Sequence, residues 1–186
     1  MFSSFQRLQN AFGIYTTVIL VVSVLISLIS YTELYSAGAF SLRPTVLKVE
    51  PKTSVKFTRR SGAVNGKGKE NAKITFDLSA DLRPLFNWNT KQVFVYLEAE
   101  YNGGKSRPDI SNSVTFWDKI ITTKEKAVLD LKGQRSHYSV YDVQKSFNNN
   151  NATLKLGYNI QPWVGALIFG HLDLEGEPQF VFPSPY

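Results

Sequence analysis

The sequence predicts a mainly β protein, with one N-terminal transmembrane helix followed by an antiparallel β-sandwich. Three observations carry that expectation. No charged residue occurs from Ala11 to Tyr31, a run long enough to cross a bilayer as a helix, which takes about 20 apolar residues. From Val93 to Tyr101 the side chains alternate: Val93, Val95, Leu97, Ala99 and Tyr101 point one way, and Phe94, Tyr96, Glu98 and Glu100 the other. Period two over that length is a strand. Beyond residue 32 no stretch sustains a 3.6-residue period, and short alternating runs recur between turn residues, the pattern of a sandwich or barrel. The chain divides accordingly into a short tail at 1–10, a signal-anchor helix at 11–31, a juxtamembrane linker at 32–43 and a β domain at 44–186.

Size and composition fit one domain plus an appendage. The roughly 150 residues outside the helix are enough to bury about two-thirds of their surface. Cysteine is absent, so the core must hold without disulfides. The net charge of +6 raises the question of an anionic partner. The lysines and arginines are not tightly clustered and fall mostly at alternating strand positions. They read as solvated faces, and nucleic acid is not an expected partner.

In chain order, the first decision is whether the apolar run is cleaved. Ala37-Gly38-Ala39 has the small-x-small form of a cleavage site, but the run exceeds the 7–15 residues of a signal-peptide core and ends well before it. An uncleaved anchor is the preferred reading. Arg7 and the terminal amine precede the helix and Glu33 follows it, which keeps the N-terminus cytoplasmic. Within the helix, Thr16, Ser23, Ser27 and Ser30 share a face at spacings of seven, four and three. Small polar residues so placed let helices approach and hydrogen-bond, or they bond their own helix carbonyls.

Val46 to Val49 and Val55 to Phe57 read as short strands punctuated by Pro51. Arg59 to Lys69 is a Gly-rich basic loop without the Walker pattern; a mobile hairpin tip is preferred over contact with lipid headgroups. Strands are then expected at Ile74–Leu78, Val93–Tyr101, Val114–Ile121, Ala127–Leu131, Tyr138–Val143, Leu154–Ile160 and Gln179–Phe182, with a helical turn within Asp81 to Phe86 and a turn at Asn102-Gly103-Gly104. Phe76, Val93, Val95, Leu97, Leu156 and Tyr158 are the expected core. Phe94 and Tyr96 make the second face of their strand apolar, so that strand should be central and covered on both sides there.

The stretch Phe86-Asn87-Trp88-Asn89, leading into the strand that ends at Tyr101, resembles the accessory subunit 3 family of the eukaryotic signal peptidase complex. The likeness extends to Ile74-Thr75-Phe76-Asp77-Leu78, Ala80-Asp81-Leu82, Val114 to Ile121, Leu154-Lys155-Leu156 and Asn159 to Pro162. It covers nearly the whole chain but not the loops at Arg59–Lys73 and Gly103–Asn112. It implies a protein of the endoplasmic reticulum membrane, single-pass, N-terminus cytoplasmic and β domain lumenal. The implied partners are the catalytic Ser/His subunit, the other small membrane subunits, membrane lipid and, indirectly, signal-peptide-bearing precursors. With that topology Asn151, in the sequon Asn151-Ala152-Thr153 after a run of asparagines, becomes a glycosylation candidate.

Chemistry is sparse. The two histidines, His137 and His171, lie in no metal-ligand motif. Ser136 and Ser139 flank His137, but strand neighbours point to opposite faces and do not make a dyad. Asp118 beside Lys119 reads as a structural ion pair next to Trp117. No catalytic residue, metal or cofactor is expected, as in the resembled family, where peptidase chemistry belongs to another subunit. Aromatic side chains in loops are the remaining candidates, because tryptophan is enriched at interface hot spots. Phe86, Asn87, Trp88 and Trp163 are the candidate partner interface; Trp117, in mid-strand, reads as core. The competing readings are an independent membrane-anchored binding module for cargo or lipid with an immunoglobulin-like domain, and a membrane-tethered hydrolase with an unrecognised site.

Overall fold

A computed structural model of the chain describes residues 3–103, 110–142, 146–147 and 149–185. Helix α1 (Ser4–Ser36) is longer than the expected span at both ends, since neither Arg7 nor Glu33 is a helix breaker. Ser3 caps it, its hydroxyl accepting from the Gln6 N–H at 3.3 Å. Its 33 residues extend for about 50 Å. Most of its apolar side chains are exposed, as a lipid-facing helix requires. A 3-10 turn, Ala39–Ser41, leads into the β domain.

The β domain has two sheets. Strands β1 (Thr45–Lys56), β2 (Lys69–Asp81), β5 (Val128–Arg135) and β8 (Glu175–Gly176) form the first, in the order β5-β2-β1-β8. Strands β3 (Thr90–Asn102), β4 (Ser111–Ile121), β6 (Asn151–Pro162) and β7 (Ile168–Asp173) form the second, in the order β4-β3-β6-β7, and β9 (Gln179–Val181) also pairs with β6. All pairings are antiparallel but one: β8 runs parallel to β1 at Thr45 and Val46.

Alternation fills one core from both sheets. Ile74, Phe76 and Leu78 of β2, Val93 to Tyr101 at odd positions of β3, and Leu154 to Ile160 at even positions of β6 are all buried in a single cluster. Trp117 meets Phe76 edge to face across the sheets at 5.9 Å, so its mid-strand position does mean core. All six expected core residues are buried.

Several expectations change. Pro51 does not divide β1, which is one strand of 12 residues. Because β8 reaches only Thr45 and Val46, the rest of β1 is an edge, where a missing N–H need not interrupt a ladder. Tyr138–Val143 is not a strand: Val140 alone bridges Ala72, Tyr138 and Tyr141 stay exposed, and Val143 lies outside the described residues. So do Gly104 of the expected turn and Asn148 of the asparagine run. Strand β3 is central, but among the described residues no layer covers its outer face; Phe94 and Tyr96 are half-exposed there and stack on each other at 5.7 Å. Strands β7 and β8 were not anticipated. The helical turn is a 3-10 turn at Arg83–Leu85.

The basic loop is the tip of the β1–β2 hairpin. Asn65 and Gly66 both take positive φ, and the Lys67 N–H donates to the Val64 carbonyl at 3.1 Å, a two-residue turn. Strand β1 starts just after α1, and its 12 residues span about 40 Å to the tip.

Candidate functional site: the seam between helix and β domain

Two loops hold the β domain against α1. The first, 86–89, follows the 3-10 turn and enters β3. The Asn87 amide nitrogen donates to the Ser30 carbonyl at 3.0 Å and to the Ser30 hydroxyl at 2.9 Å. The Asn87 amide oxygen faces inward and accepts from the Asn89 N–H at 3.0 Å, so one side chain spans helix and loop. The second loop, 163–167, joins β6 to β7. Asn89 is 2% exposed and ties the loops together: its amide nitrogen donates to the Val164 carbonyl at 2.8 Å, its amide oxygen accepts from the Val164 N–H at 3.1 Å, and its carbonyl accepts from the Trp163 N–H at 2.8 Å. Buried amides of this kind are stable only when fully paired.

The second loop then rests on the helix itself. Gly165 sits at φ 121°, and a Cβ there would lie 2.6 Å from the Ser27 hydroxyl. Only glycine fits both the backbone and the gap. Ser23, Ile26, Ser27, Ser30 and Leu34 are the helix positions with reduced exposure from 23 to 34, one face at helical spacing. Tyr31 packs on Phe40 at 5.6 Å. The chain from α1 through Asn87 and Asn89 to Val164 and Gly165 is thus continuous in hydrogen bonds and packing.

The expected interface residues are brought together here but not in equal roles. Phe86 is 7% exposed and belongs to the core. Asn87 is committed to Ser30. Trp88 and Trp163 are 57% and 67% exposed. Lys91 Nζ stands 5.2 Å from the Trp163 ring centre, a cation–π contact. Trp88 borders a groove of about 440 Å³ lined in part by Glu33, Asn87, Thr123 and Lys124. On the helix, Thr16 and Ser23 donate to the carbonyls of Gly13 and Ile19, while Ser27 and Ser30 face this chain's own β domain.

Helix and β domain together fall within one family match. The family model described as signal peptidase subunit matches residues 1–185. The chain belongs to this family. Relatives called signal peptidase complex subunit 3 are 48% identical in Yarrowia lipolytica, over 93% of this chain and 94% of that protein, and 47% identical in Saccharomyces cerevisiae, over 91% of each. The Homo sapiens protein of the same name is 40% identical over 61% of each chain.

The groups considered for chemistry sit elsewhere. Asp118 pairs with His137 at 3.3 Å rather than with Lys119, which leaves the strand on the other face. Ser136 and Ser139 are engaged with the Ile74 N–H and with Lys56. His171 lies 3.0 Å from Glu98 and 3.3 Å from the Tyr96 hydroxyl on the outer face of the second sheet. Burial raises the Tyr96 hydroxyl above its ordinary pKa, with the Glu98 charge adding to it. Among the described residues no group of three potential ligands could hold a metal ion. Asn151 is exposed at the start of β6.

Sequence reasoning did not reach Asn89, Val164 or Gly165 as seam residues. Their one visible signal was the pair of amides at 87 and 89 interleaved with aromatics. Why those amides are there becomes apparent only when Ser30 and Val164 are brought opposite them.

Proposed function

We propose that this chain is a non-catalytic subunit of a signal peptidase complex, required structurally for removal of signal peptides at the endoplasmic reticulum. Its N-terminus is cytoplasmic and its β domain lumenal, in keeping with Arg7 before the helix and Glu33 after it. The single observation that supports the role is the seam: Asn87 on Ser30 and Gly165 on Ser27 fix the β domain at one height and angle relative to the helix. A peptidase that cuts close to a bilayer needs its active site held at a set height, and positioning carries large rate effects. A partner that binds only the folded catalytic subunit also stabilises it by linkage.

Of the expected contacts, Trp88 and Trp163 are exposed, and Trp88 with its adjoining groove is the one we assign to the catalytic subunit; the bilayer-spanning part of α1 runs from 11 to 31. Depleting the chain should make precursors accumulate with uncut signal sequences. Replacing His137 and His171 together by Ala should leave cleavage unchanged in the assembled complex, whereas Trp88→Ala should lower recovery of the catalytic subunit. Loss of cleavage in a stably assembled double histidine variant would end the non-catalytic reading. Asn151 is proposed as the glycan site, and enzymatic glycan removal should speed migration of the chain on a gel.

A further inference from the structure

The loop 163–167 lies too deep along α1 to be clear of the membrane. Its Gly165 touches α1 at Ser27. Ser27 lies six residues before Glu33, about 9 Å along the axis toward the membrane interior. The helix leaves little room to slide. Counting from Leu8, the first residue after Arg7, about 20 residues are needed to cross the hydrocarbon, which ends the crossing at Ser27. Counting from Ala11, after the amides Gln9 and Asn10, it ends at Ser30. Ser27 is therefore at or inside the hydrocarbon boundary in either register. The loop is hydrogen-bonded to Asn89, which is linked through Asn87 to Ser30, so it is held there.

The side chains of this loop suit that depth. Trp163 and Leu167 are exposed, and so is Phe169 just beyond. In water such a patch is a liability. At a bilayer boundary, tryptophan is the preferred ring, with its body among acyl chains and its N–H in the headgroups. Lys91, over Trp163, has a long stem and can place its ammonium among phosphates.

We propose that Trp163 and Leu167 insert into the leaflet on the C-terminal side of α1, so that the β domain is anchored in lipid by this loop as well as by its helix. The occupant is the bilayer itself, not a protein. The inference requires α1 to span the membrane but does not depend on the peptidase role or on orientation.

The absence of cysteine makes the test direct. Single cysteines at Ala166, in the loop, and at Val64, on the distant hairpin tip, are labelled with an environment-sensitive fluorophore. The full chain, alone, is reconstituted in phosphatidylcholine vesicles containing doxyl-labelled phosphatidylcholine in both leaflets. The label at 166 should emit to the blue of the label at 64 and be quenched roughly twofold more, as for a group about 5–10 Å into the headgroup–acyl boundary. Trp163→Ser with Leu167→Ser should abolish the difference while circular dichroism remains that of the unsubstituted chain. Equal quenching at 166 and 64, protection at 166 that requires a co-reconstituted catalytic subunit, or quenching indifferent to the double serine variant would each overturn the proposal.

Discussion

At the end of the β domain far from α1, aromatic side chains turn inward on one another; at the end against α1, they turn outward. Tyr101, Phe116, Phe147, Phe180 and Phe182 form the distal cluster, with Phe147 and Phe182 stacked at 4.2 Å. Burial first, and then the hydrogen bond to Asp142, push the Tyr101 phenol well above its ordinary pKa, so it remains a donor. Among the described residues the rings of this cluster are turned to one another and buried. At the proximal end the closing contacts are amide hydrogen bonds from Asn87 and Asn89, and Trp88 and Trp163 remain outside. Hydrophobic closure stabilises a domain without fixing its direction, whereas hydrogen bonds with defined geometry fix direction at smaller net stabilisation. The distal end is built for stability and the proximal end for placement.

That division can be broken by substitution. The largest effect belongs to the distal cluster. Phe182→Ala should cost about 3–5 kcal/mol of unfolding free energy, read by denaturant unfolding of the full chain in micelles, with the seam unchanged in the folded fraction. A cost no greater than that of a surface substitution would show that the cluster does not close the core. Next comes Asn87→Leu, which keeps the bulk and removes both polar groups. Leaving the N–H of buried Asn89 without the Asn87 oxygen should cost about 1–3 kcal/mol. The diagnostic readout is spatial: spin labels on α1 and on β4 should show a broadened distance distribution while the β signal persists. An unbroadened distribution would mean that packing at Leu34 and Gly165, not the amide, sets the angle.

The smallest effect sharpens the contrast by testing the outer face, which contributes to neither task. Glu100 is held below the usual carboxylate range first by its hydrogen bond from Lys155, then by that from Ser111. A carboxylate lowered in the folded state adds stability above its unfolded pKa and loses it as pH falls through its folded one. At this exposed position the whole contribution should stay under about 1 kcal/mol. Glu100→Gln should therefore lower stability slightly at neutral pH, leave it nearly unchanged in strong acid, and so flatten the acid side of the stability profile.

The β architecture was legible because burial on one face writes a period of two into the sequence, as at Val93, Val95 and Leu97. It was less legible where pairing is local and brief. Strand β8 is two residues, and Tyr138 to Val140 carries the composition of a strand but makes one bridge. Pro51 misled because its tolerance depends on β1 having no neighbour along most of its length, a fact of topology. At the seam, Trp88 and Trp163 could be singled out from their type and loop position. The same reasoning placed Phe86 and Asn87 beside them, and it had no means of distinguishing a ring turned to the core, or an amide turned to Ser30, from one turned outward.

Strand β3 is flanked by β4, made next, and by β6, made only when synthesis reaches residues 151 to 162. Phe182, fully buried in the distal cluster, comes later still. At about 5–20 residues per second, seconds pass between emergence of Val93, Val95 and Leu97 and arrival of the side chains that cover them. Throughout that interval α1, long and apolar enough to cross a membrane, is already made. The sheet therefore stays open along the β6 side of β3, with an unpaired row of backbone groups, until residues 151 to 162 arrive.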